Sequence, residues 1–465
     1  MPYLRHNARW QPNRLADRNK MSSVTPNTTL EPEASATPRY AAGARRGTYT
    51  AKFNDGTSVE VQPGRARLYP GLRSEAPAMA PFYDAFARLV SAESRSARVL
   101  DAGCGSGVGT RRLLAHGLSV VAVDNDPTAT AFAKHHASGA EVEQVDLTAL
   151  KLDSRVDGAI LADVLSHCSD PDAVLLAVAR ALLPGGQLLV AEPTAHVSQR
   201  VSAPQRRGFS LAQLKSLLIR CGFSLESVVL GRVPFVALLA RADASGVAAA
   251  FSKAYALAAQ GDLDGALSAL SEARERARAE VELEVLLAEA EIHMARGDGD
   301  SAARCYFRGR ELAAEDARPL VGLGRIALAG DDANQALSLA LNALDLDATE
   351  PAAYALAGVA ADALGHPDAF TAWRAAANLA PDDPMIAGEL MRNASARGDH
   401  RLALANLERL ERYGVELSGD QHVTRAWLLL RAGKRGEAAL EARIAATKHA
   451  DSAALRELEA AIARG

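Results

Sequence analysis

Residues Val99 to Gly107 read Val-Leu-Asp-Ala-Gly-Cys-Gly-Ser-Gly, an apolar strand running straight into a glycine-rich turn. The glycines let the backbone turn sharply and approach a ligand closely. An acidic residue, Asp124, follows about twenty positions later, at the end of a second apolar run. A strand, a glycine turn and an acid at that spacing describe an α/β chain that holds an adenosine-containing cofactor, the acid accepting hydrogen bonds from ribose hydroxyls.

The surrounding pattern carries the same fold class. Between Arg98 and about Arg241, short apolar runs alternate with helical stretches. The runs Val99–Ala102, Ser119–Val123, Glu141–Val145, Gly158–Ala162, Gln187–Ala191, Ser224–Leu230 and Phe235–Ala240 predict seven strands. With helices between most of them, they form a mainly parallel sheet covered on both faces. Only Gly231 to Pro234 joins the last two runs, too short a link for a parallel crossover, so the last strand is expected to be antiparallel.

Upstream, residues 1–45 are rich in Pro, Asn, Thr, Ser and Arg without periodicity and read as a disordered basic start. An organellar presequence stays open as a second reading of the first twenty residues, which contain no apolar core like that of a secretory signal. Residues 46–97 predict a hairpin and a lid helix leading into the sheet. Tyr49–Phe53 and Thr57–Val61 alternate around Asp55-Gly56. Pro77–Val90 then places Met79, Phe82, Tyr83, Phe86, Leu89 and Val90 on one helical face.

Beyond an expected linker at Arg241–Gly246 the chain turns helical and repetitive. Ala266, Ala302, Ala336, Ala369, Ala403 and Ala438 recur at intervals of 36, 34, 33, 34 and 35 residues. Gly261, Gly297, Gly330, Gly365, Gly398 and Gly433 precede them and mark turns. Seven residues after each alanine stands Ala273, Gly309, Ala343, Ala376, Leu410 or Ala445, a small residue in every case except Leu410. Small residues at fixed points let paired helices pack closely. The pattern resembles tetratricopeptide repeats, about six of them within residues 247–465, with a capping helix near Asp451–Arg464.

A length of 465 residues fits two or three domains, and 48% hydrophobic with 23% charged residues describes a soluble globular protein. No apolar run reaches bilayer length, so no membrane partner is expected. Four scattered cysteines without a paired motif fit a reducing cytoplasm and argue against a structural zinc. The formal charge of −4 hides an asymmetry. Residues 246–465 carry 24 basic and 34 acidic side chains, which repels nucleic acid and favours basic or apolar partners.

The middle segment resembles a class I S-adenosylmethionine-dependent methyltransferase at each successive landmark: Val99–Gly107, Val120-Val-Ala-Val-Asp124-Asn-Asp-Pro, Val142-Glu-Gln-Val-Asp146-Leu, Asp163-Val-Leu-Ser-His167-Cys-Ser-Asp-Pro, and Leu182–Pro193. That resemblance implies a Rossmann-like domain at 98–241 with S-adenosyl-L-methionine as cofactor. A nicotinamide-binding protein is the competitor. Its loop cradles a pyrophosphate, which a carboxylate at Asp101 would repel, whereas that carboxylate suits the ammonium of a methionine moiety. The cofactor-binding residues implied are Asp101, Ala102, Gly103, Cys104, Gly105, Gly107, Asp124, Asn125, Asp146, Leu147 and Asp163. Among them Asp101, Gly103, Cys104 and Gly105 line the methionine end, Asp124 grips the ribose, Asp146 accepts from the adenine amine and Leu147 faces the ring.

Ala162-Asp163-Val164-Leu165 stands where amide-directed N-methyltransferases carry an Asn/Asp-Pro-Pro-Tyr/Phe signature, so the chain resembles the group acting on small molecules at oxygen or carbon. His167 falls at the family's frequent histidine position and is the candidate base; a histidine bonded to loop backbone is the equal alternative. His135 and His136 are expected at the surface. The acceptor elements implied are Tyr69–Val90 and Thr194–Phe209. His196, Arg200, Arg206 and Arg207 in the second stretch could meet an anionic acceptor or form a solvated loop. The array leaves two partner readings: a small-molecule enzyme whose repeats bind a partner or assemble, or a protein methyltransferase whose repeats recruit its substrate.

Overall fold

The computed structural model describes residues 49–52, 58–61, 76–193, 208–229, 235–243, 245–275, 279–412, 415–448 and 452–464. The N-terminal segment 1–45, the hairpin turn around Asp55-Gly56 and the four basic residues His196, Arg200, Arg206 and Arg207 lie outside them. The chain divides into two compact units, residues 1–147 and 148–465.

The first unit contains β1 (Tyr49–Lys52), β2 (Ser58–Val61), α1 (Ala76–Glu93), β3 (Arg98–Ala102), α2 (Val108–Ala115), β4 (Ser119–Asp124), α3 (Pro127–His136) and β5 (Glu141–Gln144). Strands β1 and β2 pair antiparallel with Tyr49 opposite Val61. Strand β3 runs parallel to β4, Arg98 opposite Ser119 through Ala102 opposite Val123, and β4 runs parallel to β5. Continuous apolar sequence produces β3 and β4 because both faces are covered; Val99, Leu100 and Ala102 are wholly buried. Helix α1 buries Phe82, Tyr83, Phe86, Ala87 and Val90, whereas Leu89, expected on that face, is exposed at its edge. Arg112 on α2 holds Asp84 on α1 through two hydrogen bonds of 3.1 and 2.6 Å, and that guanidinium keeps the Asp84 carboxyl below its ordinary range.

The second unit begins with β6 (Val156–Ala162), α4 (Pro171–Ala181), β7 (Leu182–Pro193), α5 (Leu211–Arg220), β8 (Phe223–Val229) and β9 (Phe235–Ala242). Strands β6 and β7 are parallel; β9 lies between β7 and β8 and is antiparallel to both. The seven-stranded sheet has the order β5-β4-β3-β6-β7-β9-β8. It is a Rossmann-like, mostly parallel sheet with the antiparallel last strand that the short 231–234 link requires.

The expected linker at Arg241–Gly246 is not one. Arg241 and Ala242 complete β9, and the Asp243 amide donates to the Gly222 carbonyl at 2.8 Å. Gly246, with φ 82°, leads directly into α6 (Val247–Ala259). Twelve further helices follow: α7 (Leu263–Glu275), α8 (Ala279–Arg296), α9 (Gly299–Leu312), α10 (Arg318–Ala329), α11 (Ala333–Leu346), α12 (Pro351–Ala363), α13 (Ala369–Leu379), α14 (Pro384–Ala396), α15 (His400–Arg412), α16 (Gly419–Arg431), α17 (Arg435–Lys448) and α18 (Ala453–Arg464). Together with α6 they form six consecutive packed pairs and a single last helix among the described residues. The six spaced alanines are all buried, most of them completely, and Leu410 fills its position in the core without exposure. Five of the six turn glycines take positive φ; at the third turn Gly330 does not, and Asp331 adopts φ 61° in its place. Ile219 of α5 and Leu225 of β8 pack in one cluster with Val247, Phe251, Leu270, Val285 and Ile292. The sheet's last layer and the first helix pairs therefore share a core. No helix among the described residues is long and apolar enough to cross a membrane.

Candidate functional site

The glycine turn is held from below by β4. Gly103 and Cys104 both donate their amides to the Val123 carbonyl, at 2.8 and 2.9 Å, so the chain leaves β3 and folds back over the end of its neighbour. Gly103 and Gly105 take φ 77° and 53° in this turn. At Gly107 two demands coincide: φ is 81°, and a Cβ there would lie 2.7 Å from Cα of Ala133 on α3. Only glycine meets both.

Asp124 ends β4 and organises the turn. Its Oδ2 accepts the Gly105 amide at 2.9 Å and its Oδ1 accepts the Asp126 amide at 2.9 Å. The residue is half-buried at the end of the strand, beside the turn that it organises. Asn125 is exposed next to it and its carbonyl accepts from Gln144 at 3.4 Å. Asp146 stands exposed just beyond β5, and Leu147 is buried at the start of a 3-10 turn. The structure thus brings Asp101, Ala102, Gly103, Cys104, Gly105, Gly107 and Asp124 together around one turn, with Asn125, Asp146 and Leu147 following the neighbouring strand ends.

Asp101 occupies a different place from the one its sequence position suggests. Its carboxylate is fully buried, with Oδ1 accepting the Tyr83 hydroxyl at 2.9 Å and Oδ2 the Thr110 hydroxyl at 2.6 Å. It ties β3 to α1 and α2. Burial, with the Asp124 charge adding to it against those two hydroxyl bonds, pushes its carboxyl up to about 6. Burial likewise pushes the Cys104 thiol far up, leaving it a packed thiol rather than a nucleophile. His136 also departs from expectation: its ring is partly buried, stacked on Phe132, with Nδ1 2.9 Å from the Ser106 carbonyl. It supports the turn from α3, and desolvation lowers its pKa.

In the second unit Asp163 and His167 share the turn after β6. Asp163 has φ 60°, uncommon for a residue with a side chain, and its Oδ1 accepts the Ser166 hydroxyl at 3.1 Å. His167 is half-exposed, its Nε2 3.6 Å from Asp163 Oδ1. Among the described residues its imidazole makes no hydrogen bond to loop backbone.

Glu192 organises this turn, and sequence reasoning missed it. The residue is fully buried; Oε1 accepts the amides of Val164 and Leu165 at 2.9 and 2.7 Å, and Oε2 that of Ser166 at 3.1 Å. Burial, aided by the Asp163 charge, pushes it up to about 7 despite those three donors. The available signal was a single acid closing the apolar run Leu188–Ala191, inside a strand buried on both faces. Tyr83 and Thr110 were missed as polar partners because their apolar and small neighbours read as packing faces.

Comparison with known proteins adds the family. Residues 100–190 match the profile of the methyltransferase domain family. A probable S-adenosylmethionine-dependent methyltransferase of Mycobacterium tuberculosis is 33% identical over 131 residues, covering 27% of this chain and 48% of that protein. A ubiquinone biosynthesis O-methyltransferase of Xanthomonas axonopodis is 34% identical over 104 residues, 21% of this chain and 44% of that one. The chain spans about half the length of these relatives. Among solved structures, magnesium protoporphyrin IX methyltransferase of Synechocystis is 19% identical with a TM-score of 0.31, covering 35% of this chain and 83% of that one. The donor set fits an adenosine cofactor: a backbone turn at positive φ, a half-buried carboxylate at one strand end and an exposed one at the next. Residues 100–190 thus match the methyltransferase domain family, within a longer chain.

Proposed function

We propose that the whole chain is a methyltransferase acting on oxygen or carbon of a small-molecule acceptor in the cytoplasm, with the helical array, of tetratricopeptide type, serving partner binding or assembly. The observation that carries the reading is Asp124, an acid at the end of β4 that organises the glycine turn by accepting the Gly105 amide, the place where a ribose-binding carboxylate is expected. Asn125 flanks it, Asp146 and Leu147 serve the adenine, and Gly103 to Gly107 leave room at the methionine end. Asp101 acts on that end through the hydroxyls of Tyr83 and Thr110. The cofactor supplies an already activated methyl group, so the chain has mainly to align the acceptor and take up a proton where the acceptor carries one. His167 is the base in this reading, with Asp163 beside it and Glu192 fixing the turn that presents both. The ubiquinone-pathway relative supports oxygen as the atom methylated.

The excess of acidic side chains in residues 246–465 favours a second reading, recruitment of a basic protein substrate by the array. Transfer of a labelled methyl group separates the two. Label in small organic-extractable phenols or acids, with none in polypeptide, is expected. Label confined to polypeptide would replace the first reading by the second, and no transfer to either would overturn both.

A further inference from the structure

Within the second unit, a cavity of about 500 Å³ opens where α5 meets the helical array. One end is formed by Phe209 and Asp172, on chain that follows the C-terminal ends of β7 and β6. The far end is formed by α10, the start of α12 and the chain after α13. Its size is that of a ligand site, and Leu217, Leu287, Val321 and Leu379 give it an apolar wall.

The charges in its lining decide the ligand's sign. Three arginines face the cavity and each is already matched. Arg318 makes two bonds to Glu284, at 2.8 and 3.1 Å, and further bonds to Asp316. Arg325 holds Glu291 at 2.6 Å, and Arg220 holds Asp172 at 3.1 Å. The Nε of Arg220 is buried and has no hydrogen-bond partner among the described residues, while its two amino groups hold Ser216 and Asp172. Of the five lining carboxylates, Asp172, Glu284 and Glu291 are matched by these arginines and Asp382 is engaged in an interaction of its own, which leaves Glu350. Glu350 is only 5% exposed; its Oε1 accepts the Ala352 amide at 3.1 Å, and its second oxygen takes no hydrogen bond among the described residues. Asp347, Asp316, Arg318 and Asp382 are the other charged groups around it.

We infer that this cavity binds a ligand bearing a primary ammonium or guanidinium on an apolar arm, the cation paired with Glu350 and the arm laid on the apolar wall. A lysine side chain of a peptide and a free alkyl diamine present the same chemistry. Occupancy would touch Phe209 and α5 of the sheet's last layer as well as the array, so the site joins the two. It is distinct from the methyl-transfer residues and stands whether or not the acceptor is a small molecule.

Burial pushes Glu350 up to about 7, so pairing with a cation must release its proton, and affinity must rise with pH. The test is calorimetric titration of the full-length chain with three probes: a capped Ala-Leu-Lys-Leu-Ala peptide, the same peptide with acetyl-lysine, and pentane-1,5-diamine. Expected are binding of the lysine peptide or the diamine at least about tenfold tighter than of the acetyl-lysine peptide, and an increase of about tenfold between pH 6 and pH 8. Glu350→Gln, which retains an oxygen for the Ala352 amide, should abolish that pH dependence. The better of the two cationic probes identifies the source. Equal binding of charged and acetylated peptides, pH-independent binding, or no binding of either cationic probe would each overturn the inference.

Discussion

At the scale of single residues, the two acids that matter most are buried ones whose protons the fold holds tightly. Asp101 and Glu192 bind a proton more strongly folded than unfolded, pushed up to about 6 and about 7 from ordinary values of 3.8 and 4.5. The stabilisation that follows is full below the unfolded values and lost as pH rises through the folded ones. Asp84, held low by Arg112, works in the opposite sense but at more acid pH, outside this window. Urea titrations should therefore show stability falling between about pH 5 and pH 8, with a shallower fall in Glu192→Gln; a flat wild-type profile would refute the account. Asp124→Ala removes a charge-assisted acceptor worth about 1.5–3 kcal/mol, so S-adenosylhomocysteine should bind roughly ten- to a hundredfold more weakly by calorimetry. Gly107→Ala forces a side chain into φ 81° and onto Ala133, and should cost about 2–4 kcal/mol, read as a drop in melting temperature. The glycines and Asp124 were readable in the chain because turn geometry restricts residue type. The inward aim of Asp101 was not, because it depends on Tyr83, eighteen residues earlier on a separate helix.

At the scale of elements, strands and helices announced themselves through period and punctuation, and their departures have local causes. Strand β7 extends to Leu182, beyond the Gln187 start that its apolar run suggests, because β6 pairs with it from Val156 opposite Leu182 across an irregularity. Six helical pairs follow from alanines spaced at one superhelical step, since a buried Cβ is all that the contact admits. What periodicity could not show is how α5 fastens to α8 and α10. Ser216 donates to Glu284 at 2.6 Å, and Glu284 in turn holds Arg318. Glu284 is nearly buried and Arg318 mostly so, which makes the pair costly to break from one side. Glu284→Ala should destabilise by about 3–5 kcal/mol in chemical denaturation, whereas replacing both partners by Met and Leu should cost much less. An equal loss in the single and double variants would show that packing, not the charge, is what the site needs.

At the scale of the whole molecule, the boundary expected at residues 241–246 dissolves. Ile219 and Leu225 belong to the sheet's last layer, yet they lie in one core with helices α6 to α8. A fragment ending at residue 245 would expose that surface. It should lose its cooperative thermal transition, and activity lost on such truncation reports unfolding rather than failed recruitment. A sharp, wild-type-like transition in the fragment would contradict the shared core. The composition shift at this point is real, and it misled because a change of secondary-structure type need not coincide with a break in packing.

The placement of β9 carries a consequence for how the chain is made. The ribosome delivers β7 and β8 before β9, although β9 must lie between them. Until residues 235–242 emerge, β7 presents a bare, wholly apolar edge from Leu188 to Ala191, the kind of edge that invites pairing with another nascent chain. Vectorial synthesis thus leaves the sheet open through its last third. A nascent chain stalled just short of β9 should be the species most dependent on chaperones.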